Sequence, residues 1–171
     1  ISFRMDPAYL EELPFDRSHK FPVLPYGIFF IKGLHFFGYH IRFKDLARGG
    51  LRTVLPERPE FVAHERNQIF SECYNLALTQ QYKNKDIPEG GAKGVIFLKP
   101  DEQIATEIGI LKRELELAKI DEQIMDGNLD KFRSEQKREY LHQSQRSFID
   151  SLLTLVNCNP DGSLKAKNIV D

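Results

Sequence analysis

Two short segments pair adjacent glycines with a cation: Arg48-Gly49-Gly50-Leu51-Arg52 and Gly90-Gly91-Ala92-Lys93-Gly94. Glycine tolerates positive φ and, lacking a Cβ, lets a ligand come close to the backbone. An arginine beside such backbone suits bidentate recognition of a carboxylate. A lysine flanked by small residues can be desolvated, which lowers its pKa and fits it for proton transfer near neutral pH. Taken alone, each segment reads first as a tight basic turn with solvated side chains. A phosphate loop is excluded, because Lys93 is not preceded by the GxxxxGK[ST] pattern.

Strands and helices must hold these segments. Ile28 to Ile31 is a continuous apolar run, and Phe37, Tyr39, Ile41 and Phe43 alternate with polar or small residues, which predicts two strands within 26–43 joined near Gly33. Residues 1–26, broken by Pro7, Pro14, Pro22 and Pro25, read as irregular, and 46–52 as a loop after the second strand. A helix is predicted over much of 57–83, with Val62, Ile69, Cys73, Leu76 and Ala77 on one face. Pro88 blocks its continuation, and 89–94 reads as a loop feeding a short strand from Val95 to Leu98. Ile104, Ile108, Leu111, Leu115 and Ala118 form an amphipathic stripe. Gly127 and Asn128 are expected to break it before a second helix from about Leu129 to Val156, and Asn159-Pro160-Asp161-Gly162 reads as a turn. The fold class is therefore α/β, a mixed sheet flanked by helices with a helical carboxyl-terminal segment. No GxGxxG follows a strand, so no Rossmann dinucleotide site is expected in this chain. The two glycine segments are expected to meet on one concave face at the strand ends, where open α/β sheets place ligands.

Composition narrows the partners. The 171 residues suit one domain, with 41% hydrophobic and 29% charged residues. A net charge of −1 gives no electrostatic reason to bind nucleic acid or an anionic membrane, and no apolar run reaches the ~20 residues of a membrane helix. Cys73 and Cys158 lie far apart without metal-ligand spacing, and the five histidines form no HxxxH pair, so no metal site is expected. Cys73, among Ile69, Phe70 and Leu76, reads as a buried thiol, and a reducing cytoplasmic compartment is expected. Ile1 and Asp171 read as cut ends of a longer chain.

The segment Ile87-Pro88-Glu89-Gly90-Gly91-Ala92-Lys93-Gly94 resembles the active-site signature of the glutamate, leucine, phenylalanine and valine dehydrogenases. Residues 48–52 resemble their upstream Lys-Gly-Gly-Ile/Leu-Arg segment. The opening Ser2-Phe3-Arg4-Met5-Asp6-Pro7, the run from Gly38 to Gly50, and Lys83-Asn84-Lys85-Asp86 are similar to the large NAD-specific glutamate dehydrogenase branch. The resemblance implies a single substrate-binding domain over residues 1–171, with NAD bound by a domain downstream. It implies an enzyme, a homo-oligomer when intact, that oxidatively deaminates L-glutamate to 2-oxoglutarate and ammonia. Lys93 would be its catalytic lysine, activating the water of imine hydrolysis. Arg48, where smaller relatives carry lysine, would meet the side-chain carboxylate, with Gly49, Gly50, Gly90 and Gly91 lining the substrate site. A family lysine that binds the α-carboxylate lies twelve residues before the catalytic one. That offset falls on Gln81 here, and a two-residue contraction gives the role to Lys83. Without such a role, Lys83 and Lys85 are a solvated helix end, where the dipole favours cations. Lys99 before Pro100 departs from the signature, and the family's catalytic aspartate has no match here and is expected beyond Asp171. An aliphatic amino acid substrate is disfavoured by Arg48. A non-catalytic module of the same fold is the alternative from another class. The isolated chain is expected to be inactive, because hydride transfer needs a bound nicotinamide.

Overall fold

The apolar residues after Pro25 build the centre of a five-stranded sheet. In a computed structural model, which describes all residues except 57, 85, 160, 162, 164 and 166–171, β2 (Gly27–Lys32) and β3 (Phe36–Arg42) form an antiparallel hairpin. The Gly33 N–H donates to the Phe36 carbonyl at 2.9 Å and closes its turn. The opening residues are less irregular than expected. β1 (Ser2–Met5) pairs antiparallel with β2, and two short 3₁₀ turns, Pro7–Glu12 and Arg17–His19, follow it.

The two glycine segments are strands rather than loops. β4 (Ala47–Val54) contains the first and β5 (Gly90–Leu98) begins with the second. The strand order is β1-β2-β3-β5-β4, with β5 antiparallel to β3 and parallel to β4. Parallel neighbours need a crossover, and α1 (Pro59–Lys83) supplies it. The glycines of both segments have ordinary φ, so no left-handed conformation calls for them.

Alternation along the strands splits the core in two. Ile28, Ile41, Val95 and Phe97 pack with Ile69, Cys73, Tyr74 and Ala77 of α1. On the opposite face, Phe29, Ile31, Ile96 and Leu98 pack with Phe148 and Leu152 of α3 (Glu122–Val156). The first half of α3 lies against α2 (Asp101–Leu117), where the Tyr140 hydroxyl donates to Glu107 at 2.7 Å. The break between these helices falls at 118–121, not at Gly127. Asp121 caps α3 by accepting from the Gln123 N–H, and α3 runs unbroken through Gly127. Of the predicted 159–162 turn, residues 160 and 162 lie outside the described residues, as does Lys85; Asp161 accepts hydrogen bonds from both the N–H and the hydroxyl of Ser163. No helix among the described residues is long and apolar enough to cross a membrane.

Candidate functional site

The parallel pairing of β4 and β5 sets Arg48 opposite Gly91 and Gly50 opposite Lys93. Residues two apart on a strand share a face. Arg48, Gly50 and Arg52 of β4 therefore share a face with Glu89, Gly91 and Lys93 at the start of β5. It is the α1 face, because a Cβ on Gly91 would meet Gln81 N at 2.1 Å and Ala77 O at 2.6 Å. Arg48 and Lys93 are thus brought together, on adjacent strands and offset by two residues, about 7 Å along the strand. They stand near the amino ends of β4 and β5.

Gly50 leaves the backbone bare beneath the lysine: a Cβ there would lie 3.3 Å from Lys93 Nζ. Gly49 serves strand packing instead, since its Cβ would lie only 1.5 Å from the Ala92 carbonyl oxygen. Gly91 likewise makes room for the helix. Of the expected lining glycines, Gly50 is the one that opens space beside the cation.

The end of α1 fixes this part of β5. The Gly91 N–H donates to Gln81 Oε1 at 2.7 Å, and buried Asn84 donates to the Gly90 carbonyl at 2.9 Å while accepting from Gln80. Gln81 lies on the β3 flank of α1, as Gly91 turns its carbonyl to Phe43 of the β3 side. Lys83 lies on the other flank. It follows Glu72 by eleven residues, which brings it within about 20° of Glu72 around the helix axis. Glu72 contacts Arg52 of β4 at 2.9 Å, so Lys83 projects from the flank of α1 that faces Arg48 and Lys93. It is exposed in the last turn.

Arg48, Arg52 and Lys93 therefore form a cationic cluster on the α1 face of β4 and β5, with Lys83 on the flank of α1 toward it and two carboxylates paired to the arginines: Glu89 at 3.3 Å from Arg48 and Glu72 on Arg52. Four cations and two anions leave two positive charges. Both arginines are more than half exposed, so their remaining donors are open to a ligand. This arrangement can hold a small dianion with its reacting carbon beside an amine.

Sequence reasoning missed Arg42 and His40, which hold the strands beside this cluster. Arg42 donates to the Asp45 carbonyl at 2.6 Å and braces the turn that leads into β4. His40 is buried against Phe29, and burial, followed by the nearby charge of Arg42, pulls its pKa down to about 3. The Cys73 thiol, buried as expected, lies 3.3 Å from the Tyr39 and Lys93 carbonyls, and burial pushes its pKa up to about 12. Their sequence signal was thin: an alternating polar residue in a strand, and amides near a helix end. Among the described residues no group of His, Cys, Asp and Glu is arranged to hold a metal.

No family model matches the chain. It is 43% identical over 112 residues to glutamate dehydrogenase 2 of Dictyostelium discoideum, covering 66% of the chain and 10% of that protein. It is 49% identical over 100 residues to the NAD-specific glutamate dehydrogenase of Saccharomyces cerevisiae, covering 58% of the chain and 9% of that protein. The enzyme of the same name from Neurospora crassa is 46% identical over 103 residues, covering 60% of the chain and 9% of that protein. The chain thus spans about a tenth of the length of the curated relatives it matches. Identity at this level over most of its residues makes this chain a segment belonging to the NAD-specific glutamate dehydrogenases.

Proposed function

We propose that this chain is the substrate-binding domain of an NAD-dependent glutamate dehydrogenase and carries its catalytic lysine. The observation that carries the reading is the shared face of Arg48 and Lys93 over the bare Gly50 backbone. L-glutamate and 2-oxoglutarate each present two carboxylates, which match the two surplus positive charges of the cluster. Arg48 takes the side-chain carboxylate with its guanidinium fork, and Lys83 adds a second cation for carboxylate binding. Lys93 then stands beside the α-carbon.

In oxidative deamination the α-C–H hydride leaves, the amine becomes an imine, water adds to the imine carbon, and ammonia departs to give 2-oxoglutarate. Lys93 handles the proton of that water and stabilises charge developing on the added oxygen. NAD, when bound, accepts the hydride. The segment 55–58 contains no glycine and so lacks the glycine-rich turn of a dinucleotide cradle. A cytoplasmic homo-oligomer is the setting suggested by the family resemblance.

The test is steady-state kinetics of the full-length parent enzyme with glutamate and with norvaline, which lacks the distal carboxylate. Lys93→Ala is expected to lower kcat by at least ~10²-fold with both substrates. Arg48→Ala is expected to raise KM for glutamate and leave norvaline unaffected. Near-normal kcat after Lys93→Ala overturns the catalytic role. An unchanged glutamate preference after Arg48→Ala overturns the distal-carboxylate role and reopens an aliphatic substrate. Glutamate protection of Lys93 from a lysine-directed reagent separates an active site from a non-catalytic module.

A further inference from the structure

β5 lies between β3 and β4 in the sheet, so the chain must cross the start of β5 to pass from one to the other. Residues 43–46 make that crossing. The Phe43 N–H donates to the Gly91 carbonyl at 3.0 Å, and the Gly90 N–H donates to the Leu46 carbonyl at 2.8 Å. The crossing lies close against β5, since a Cβ on Gly90 would meet Lys44 Cβ at 2.6 Å. Packing does not hold it down: Lys44 and Asp45 are exposed, and Leu46 is 66% exposed. The Asp45 side chain meets Lys165 at 3.5 Å, but an exposed pair of this kind holds a backbone weakly.

One side chain of β3 grips the crossing from below. Arg42 Nη2 donates to the Asp45 carbonyl at 2.6 Å and reaches the Ala47 carbonyl at 3.5 Å, while Nη1 lies 3.4 Å from His40 Nε2. Arg42 shares a face with His40, which packs on Phe29 on the α3 side of the sheet. The planar fork of a guanidinium suits such a grip, because it presents several donors in a fixed geometry. Arg48 follows Ala47 directly, so the grip ends one residue before the cation of the site and acts from the opposite face. Lys93 is fixed independently, as α1 holds Gly90 and Gly91 through Asn84 and Gln81. We propose that Arg42 is a positioning residue: by holding the crossing it sets the place of Arg48 relative to Lys93, and so the preference for an amino acid with a distal carboxylate. The inference rests on the reading of Arg48 and Lys93 given above.

The test is a double-mutant cycle in the full-length parent enzyme, with glutamate and norvaline as substrates. Arg42→Met is expected to raise KM for glutamate about 10-fold, the usual size of a lost charged hydrogen bond, and to leave kcat and the norvaline KM within about twofold. Arg42→Lys keeps the charge and one reach toward the Asp45 carbonyl, and is expected to recover part of the loss. In an Arg48→Ala background, Arg42→Met is expected to add nothing for glutamate, because the group it positions is gone. A merely structural brace predicts another pattern: a lower melting temperature, with glutamate KM unchanged below it. Arg42→Gln keeps a donor and carries the same test if Arg42→Met does not fold. The inference is overturned if glutamate KM stays within about twofold, if norvaline KM rises alongside it, or if the effects of Arg42→Met and Arg48→Ala multiply. An effect of Arg48→Ala with none of Arg42→Met removes the positioning role alone. No effect of Arg48→Ala on glutamate removes the reading on which it rests.

Discussion

Lys93 and Gly50 are partners across two parallel strands, and the lysine's Nζ stands 3.3 Å from where a side chain on Gly50 would begin. The pairing explains why a glycine occupies an otherwise regular strand position: the space above it belongs to the amine. Gly50→Ala brings one methyl into tight contact with a flexible side-chain end, which can shift. Gly50→Val adds a second branch and pushes the amine off the strand. Activity of the parent enzyme is expected to fall modestly in the first and by more than ~10-fold in the second, with unchanged melting temperature. Equal activity in both variants would remove Gly50 from the site.

Gly91 makes the opposite case. A methyl there would meet backbone atoms of α1, the nearest being Gln81 N at 2.1 Å, and neither the helix nor the strand can move aside cheaply. Gly91→Ala is expected to destabilise the fold by about 1–3 kcal/mol or more through overpacking. Chemical denaturation of the 171-residue chain checks this, and a loss below about 0.5 kcal/mol contradicts the packing described.

Burial of His40 ties stability to acid. Its pKa falls to about 3 in the folded protein, against about 6.5 for an unperturbed imidazole. Above about pH 6.5 both states leave it neutral. Below that, the unfolded chain takes up a proton that the folded chain refuses, so stability falls as pH drops toward 3, at up to about 1.4 kcal/mol per pH unit. His40→Gln removes this contribution. The stability advantage of the unsubstituted chain over His40→Gln should therefore shrink between pH 7 and pH 4.5, and a gap independent of pH would show that His40 titrates normally.

Cys73 should be inert while the chain is folded. Its thiol is fully buried beneath the Lys93 carbonyl, with its pKa pushed up to about 12, so little thiolate exists at pH 8. Half-buried Cys158 should react with a thiol reagent first. In a time course at pH 8, one equivalent is expected before denaturant and two after it. Fast native labelling of Cys73 would mean that the α1-facing core opens readily.

Hydrophobic period made the hairpin of β2 and β3, the long α1 and the α2 stripe legible, because each buries one face against a partner. It was silent on β4, where two glycines and two arginines in five residues read as a loop. Pairing with β5 makes that segment a strand; strand preference belongs to neighbours more than to the residues themselves. The start of β5 was missed for the same reason. At the helical hairpin, Gly127 reads as the break, while the turn uses Lys119 at φ 54 and the Asp121 cap, a local signal that a glycine elsewhere outweighs. The residue types of the candidate site, Arg48 and Lys93, could be picked out in the sequence. The sharing of one face by the two, and the inclusion of Arg52 and Glu72, follow from strand register, which no local pattern encodes.

Among the described residues β4 closes the sheet with β5 as its one strand neighbour, and it carries Arg48 and Arg52. A strand at a sheet margin is tethered by one ladder, so its amide protons should exchange with solvent sooner than those of β3 or β5. A dianion held by Arg48 and Lys93 would act as a second tether, stitching the marginal strand to its neighbour from above. Its binding should then be readable as slowed deuterium uptake in residues 47–54, with β1 at the far margin of the same sheet as the internal control.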